Sequence, residues 1–106
     1  MNDIRMVFCN APDIDIAEKI AHELVKRHQA ACVNILFPCK SVYRWADNIE
    51  DTQEIPMIIK TTQGALHELM ETITQIHPYE VPEILAVDVA DGLPGYCQWL
   101  RQQVYE

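Results

Sequence analysis

The residues best suited to chemistry lie together in one short stretch, His77-Pro-Tyr-Glu-Val-Pro-Glu-Ile84. Pro78 has no backbone N–H, fixes its own φ and pushes His77 out of the α region. Pro82 repeats the restriction four residues later. An imidazole, a phenol and two carboxylates therefore sit on a stiff connector. Cys9, at the end of the first apolar run, adds a soft sulfur donor. Thiolate and imidazole together suit Cu(I) or Cu(II), and Tyr79 and Glu80 would complete or orient the shell. The plainer reading makes Cys9 a buried thiol at a strand end and His77 a helix C-cap bonded to a carbonyl. A Cys9–His77 nucleophile pair would need a third, orienting group. None is identifiable, and no phosphate loop or G-x-S-x-G elbow is present. No catalytic residue is assigned, and no enzyme is expected.

Bulk properties narrow the classes further. A chain of 106 residues fits a single domain over 1–106. With 49% apolar and 23% charged residues it should fold as a globule. A net charge of −8 argues against nucleic acid, whose phosphates require clustered Lys and Arg. No apolar run approaches the ~20 residues of a membrane span. Met1 to Cys9 lacks signal-peptide architecture, so the expected compartment is the cytosol. Cys9, Cys32, Cys39 and Cys97 form no C-x-x-C pair, which argues against a zinc framework and for free thiols.

The elements that must position these residues follow from periodicity. Ile4 to Cys9 reads as a central strand, apolar on both faces. Asn10 to Asp13 reads as a turn. Asp15 and Glu18 have capping-box spacing, and Ala17, Ile20, Ala21, Leu24 and Val25 form one helical stripe. Arg27 and His28 fall in the last turn, with His22 and His28 expected in solvent. Ala31 to Trp45 is β-rich and broken at Phe37-Pro38, which implies an edge or a bulge. Pro56 and Cys39 also point to a local bulge. Ala46-Asp-Asn48 is turn chemistry, and Ile49 to Thr61 returns as a strand. A second helix runs from about Gly64 to Ile76, with Leu66, Leu69, Met70 and Ile73 on its stripe. Val81 to Ala90 is a strand, and Asp91-Gly-Leu-Pro94 opens a last helix carrying Tyr96, Trp99 and Leu100. Tyr105 and Glu106 are expected to fray.

The order β-α-β-β-α-β-α is that of an α+β, ferredoxin-like β-α-β-β-α-β sandwich with a long hairpin and an extra C-terminal helix. The first and third strands then lie in the centre. One end collects Cys9, the hairpin tip and the His77 connector. Two helices cover one sheet face only. The other face and the overhanging tip, with Val42, Tyr43, Trp45 and Ile49, need a partner. A tight homo-oligomer is expected.

Five stretches now resemble one family: Ala30-Ala-Cys-Val-Asn-Ile35, Ser41-Val-Tyr-Arg-Trp45, Ile58-Ile-Lys-Thr-Thr62, His77 to Ile84 and Tyr96-x-x-Trp99. Together they look like the CutA family, described as divalent-cation tolerance proteins, across nearly the whole chain in the expected order. The resemblance implies a ferredoxin-like subunit, a homotrimer with intersubunit strand pairing, high thermal stability and links to copper and other divalent ions. Of the copper ligands proposed in the family, the cysteine ending the first strand matches Cys9. Some members carry two histidines before Pro-Tyr, whereas here the pair is Ile76 and His77.

Two readings of function follow. In one, a trimeric tolerance protein binds copper or another divalent cation through Cys9 and His77, with Glu80 as a further ligand. In the other, a trimeric scaffold or sensor resembling the PII-like signalling proteins binds a small molecule or partner protein in an intersubunit cleft, without physiological metal ligation. That cleft or interface would draw on Tyr43, Arg44, Trp45, Lys60, Tyr79, Glu83 and Trp99. The plain alternative has Arg44 and Lys60 in interfacial ion pairs and Trp45 and Trp99 in packing.

Overall fold

Strand β1 (Ile4–Ala11) runs up the middle of a mixed-length antiparallel sheet in a computed structural model that describes residues 3–105. It is followed by α1 (Ile14–Lys26), β2 (Cys32–Ile35), β3 (Cys39–Trp45), the long β4 (Asn48–Thr62), α2 (Leu66–Ile76), β5 (Ile84–Asp88) and α3 (Pro94–Gln103). The strand order is β2-β4-β1-β5, with β3 pairing the upper half of β4. The expected sandwich is therefore present, with β1 and β4 in the centre.

Period-2 alternation assigns the faces. Val7, Cys9 and Ala11 of β1, with Ile55, Met57 and Ile59 of β4, point at the helices and are buried. Ile20 and Leu24 of α1 and Leu69 and Ile73 of α2 close that core. Each such fully buried aliphatic contributes roughly 1.5–3 kcal/mol. A second cluster at the lower end, Ile4, Ala31, Ala65, Cys97, Leu100 and Val104, docks α3. The remaining sheet face carries Met6 and Phe8 of β1, which pair with Val87 and Leu85 of β5, and Ile58 of β4. Helix α3 meets its lower end, where Ile4 is buried and the Tyr96 hydroxyl lies 3.6 Å from Cys32 Sγ, while Leu85 is 63% exposed.

Three local outcomes differ from the sequence reading. Helix α1 starts earlier than the Asp15–Glu18 spacing suggests, because Asp13 caps it by accepting from the Ile16 N–H at 2.9 Å. Val25, placed on its buried stripe, is exposed, since the core is filled by Ala17, Ile20, Ala21 and Leu24. Strand β5 is shorter than Val81 to Ala90. Pro82 has no N–H for a ladder, and β1 offers β5 partners only from Arg5 to Cys9.

The chain end is also held, not frayed. His28 adopts φ 58° directly after α1, and Gln29 N–H bonds the Leu24 carbonyl at 2.9 Å, a Schellman closure with histidine at the usual glycine position. His28 is therefore not a solvated helix residue. Its Nδ1–H donates to the Gln103 carbonyl at 3.0 Å, and its Nε2 accepts from the Tyr105 hydroxyl at 2.8 Å. The two rings stack at 4.0 Å. Glu106 lies outside the described residues.

The hairpin carries the bulge that Phe37-Pro38 implied. Ile35 pairs with Met57, but Cys39 pairs with Glu54. Residues 36–38 thus face only two residues of β4, and the extra residue switches side-chain parity. Cys39, Ser41, Tyr43 and Trp45 are turned to the open face of the sheet, where Glu54 also points. Pro56 sits in unbroken register opposite Asn10, so the extra residue is on the other strand. Beyond the sheet, β3 and β4 project as a free arm, giving extents of 45 × 25 × 23 Å. The radius of gyration is 14.3 Å, against about 13 Å for a compact chain of this length.

Candidate functional site

The upper end does gather most of the candidate residues, but on two different faces of the sheet. Cys9 belongs to the helix-facing core and is fully buried. Burial, then the nearby Glu83 and Glu54 carboxylates, push its thiol up to about 12. Its surroundings thus disfavour the thiolate that metal ligation requires.

His77 ends α2, and its N–H bonds the Ile73 carbonyl at 2.8 Å. Its ring is buried, and both nitrogens are engaged. Nδ1 accepts from the Tyr79 N–H at 3.2 Å, so Nε2 carries the proton and donates to the Asn10 carbonyl at 2.7 Å. No ring lone pair is left over. Among the described residues no three His, Cys, Asp or Glu side chains converge as a ligand set. As folded, Cys9 and His77 do not fit a copper site.

On the open face, one residue along from Cys9, Asn10 contributes to a cavity of about 610 Å³. Its Nδ2 donates to Glu54 at 3.3 Å and to Glu83 at 3.5 Å. The Tyr79 hydroxyl donates to the other Glu54 oxygen at 3.3 Å. Burial, then the Glu54 charge, hold the Tyr79 phenol above its ordinary value, so it stays a donor at neutral pH. Tyr43 and Trp45 come down from the hairpin, and Glu80 and Val81 from the connector. Three carboxylates and three aromatic rings thus line the space, with no Lys or Arg among the lining residues. Such walls suit a cation: carboxylates supply charge, and aromatic faces supply their negative quadrupole.

Of the expected cleft residues, Tyr43, Trp45, Tyr79 and Glu83 meet here, with Glu80 beside them. Arg44 is not among the lining residues; it lies opposite Ile49, next to the hairpin turn. Lys60 is six residues down β4 from Glu54, about 20 Å away, where it donates to Asn34 Oδ1. Trp99 sits on α3 beside Tyr96, at the lower end. Within one chain neither Lys60 nor Trp99 reaches the cavity.

Sequence reasoning missed Asn10 and Glu54. The sequence reads Asn10 as a turn residue, although extending the alternation of Met6 and Phe8 by two residues places it on the open face. Glu54 was legible only by counting back along β4 from the Ala46-Asp47 turn, and its face follows only once the bulge is known.

Comparison with known proteins comes to the same family as the motifs. The family model described as CutA1 divalent ion tolerance protein matches residues 5–103. The divalent-cation tolerance protein CutA of Thermus thermophilus is 40% identical over 97 residues, covering 92% of this chain and 94% of that one. Protein CutA of Mus musculus is 36% identical over 99 residues, covering 93% of this chain but 56% of the mouse protein. The crystal structure of CutA1 from Shewanella sp. SIB1 superposes with a TM-score of 0.96 at 35% identity, covering 99% of this chain and 98% of that one.

Proposed function

Because the chain belongs to the CutA1 divalent ion tolerance protein family, we propose that it serves divalent-cation tolerance as a non-enzymatic homotrimer, acting through the anionic cavity at the root of its hairpin. The observation that carries this reading is the largely apolar sheet face of Met6, Phe8, Ile58, Leu85 and Val87, on which Leu85 is 63% and Val87 44% exposed. A stable monomer rarely leaves so large a contiguous apolar surface uncovered. Phe37 at the bulge is 92% exposed, and the arm of β3 and β4 extends past the body of its own subunit. A closed ring of three copies would cover both the open face and the arms. The cavity then lies between subunits, as a cleft for a small molecule or partner protein. Lys60 and Trp99 would join it only from a neighbouring copy.

Direct copper ligation is the second reading, favoured by the sulfur and imidazole donors that Cys9 and His77 bring to the same end, with Glu80 exposed nearby. It requires Cys9 to lose its proton and His77 to release either Asn10 or Tyr79. A cytosolic location accords with both readings, since all four cysteines are free. No helix among the described residues is long and apolar enough to cross a membrane.

The test is light-scattering mass on chelator-treated protein, repeated with one copper equivalent per subunit, with bound metal quantified. The proposal expects a trimer in both states that releases copper on gel filtration. Stoichiometric retention, lost in the Cys9→Ala, His77→Ala double variant, would establish direct ligation instead. A monomer in both states would remove the trimer reading altogether.

A further inference from the structure

Glu54 is a carboxylate with only 8% of its surface exposed, yet both of its hydrogen-bond donors are neutral, the Asn10 amide and the Tyr79 hydroxyl. Taking a carboxylate out of water without a counter-charge is costly, and proteins pair such groups. Glu80 and Glu83 deepen the negative potential of the same space. Among the described residues its own subunit supplies no cation there. A bare metal ion is poorly served, because no three acidic, His or Cys side chains converge among the described residues. A planar guanidinium suits it better: its donors reach two separated carboxylates, and its face stacks on the aromatic walls.

The chain carries one arginine of that description. Of its four arginines, Arg5 pairs with Asp88, Arg27 with Glu23 and Arg101 with Asp3. Arg44 is exposed and has no partner among the described residues. It is not among the residues that line its own subunit's cavity. It is paired with Ile49, next to the turn, at the end of the arm most distant from its own body. Lys40 shares its side but lies about 13 Å nearer the root.

We infer that the cavity is completed by a second copy of this chain, with Arg44 of the partner subunit entering between Glu54 and Glu83 against Tyr79 and Trp45. This rests on the trimer reading above and adds to it the group that closes the site. The arm then has a specific role: it carries one subunit's unpaired cation to the next subunit's unpaired anion. Around a three-fold ring each subunit gives one Arg44 and receives one, so the contact closes on itself. Any ligand of the cleft would meet an Arg–Glu lid, not an empty acidic pocket.

The experiment is sedimentation of the whole protein over a concentration series, for the wild type, Arg44→Glu, Glu83→Arg and the double exchange. The wild type is expected to sediment as a trimer. Arg44→Glu is expected to raise the dissociation concentration at least about thirtyfold, and the double exchange to recover most of that loss. A trimeric wild type whose Arg44→Glu variant dissociates no more readily overturns this inference and leaves the trimer standing. A monomeric wild type overturns the trimer reading, and this inference with it. A thermal-shift series with N-methylguanidinium supplies an independent check. A clear rise in Tm of the wild-type trimer would mean that the cavity is open to free organic cations, which also overturns the inference. No rise for the wild type and a rise for Arg44→Ala, whose cavity is vacated, is the expected pattern.

Discussion

The imidazole Nε2 of His77 lies 2.7 Å from the carbonyl oxygen of Asn10, and this bond ties the end of α2 to the end of β1. It reaches the backbone of the residue whose side chain holds Glu54 and Glu83 in place. The histidine of the His-Pro-Tyr-Glu connector thus acts on the cavity from behind, by fixing the strand that lines it.

Replacing that ring should therefore be expensive. His77→Ala leaves the Asn10 carbonyl and the Tyr79 N–H without their partners and opens a void under the connector. The expected loss is about 2–4 kcal/mol in urea unfolding at fixed protein concentration. A loss under about 0.5 kcal/mol would show that the ring is not a structural tie.

The Cys9 thiol should be inert in the native protein and should make stability fall at alkaline pH. Its folded-state value is raised from 9.0 to about 12, so the unfolded chain loses the proton first. The stabilising contribution is complete below about pH 9 and is lost as pH rises toward 12. Urea midpoints should decline from pH 8.5 to 10.5, and less steeply in Cys9→Ala. Peptide mapping after iodoacetamide at pH 8 should find Cys9 unmodified until the protein is denatured.

The C-terminal clasp gives a third test. Tyr105→Phe removes the hydroxyl that donates to His28 and keeps the stacked ring. Tyr105→Ala removes both. Expected losses are about 0.5–1 and about 1–2 kcal/mol respectively, with faster hydrogen exchange at Gln103 and Val104. Equal stability of all three proteins would mean that the tail is free in solution.

The hairpin turn holds a correctable strain. Ala46 and Asp47 have φ of 50° and 68°, the type I′ geometry that Asn-Gly adopts without strain. Alanine is disfavoured in that region by about 1–2 kcal/mol. Ala46→Asn should raise stability by about 0.5–1 kcal/mol, read as a higher thermal midpoint. A drop would show that Ala46 makes a contact the turn depends on.

Much of the architecture was legible because it depends on local repetition. The stripe of Ala17, Ile20, Ala21 and Leu24 allows only a one-faced helix, and Phe37-Pro38 allows only an interrupted strand. The motifs from Ala30 to Trp99 were enough to place the chain in its family. The stiff connector at His77 was also evident, since two prolines restrict it wherever it lies.

What the tertiary structure alone decided is which side each residue faces and what it meets there. One extra residue at 36–38 reverses the parity of the whole arm, sending Tyr43 and Trp45 toward Glu54, while Arg44 is outside the cavity lining. Cys9 and Asn10 are adjacent in sequence yet on opposite faces of β1, so the sulfur that looked like a ligand is core and the amide that looked like a turn organises the cavity. His77 looked like a donor and became a tie once Asn10 and Tyr79 occupied both its nitrogens. Periodicity is carried by neighbours a few residues apart, so sequence alone reveals it. Register and hydrogen-bond occupancy depend on groups tens of residues away, and only the folded chain brings those together.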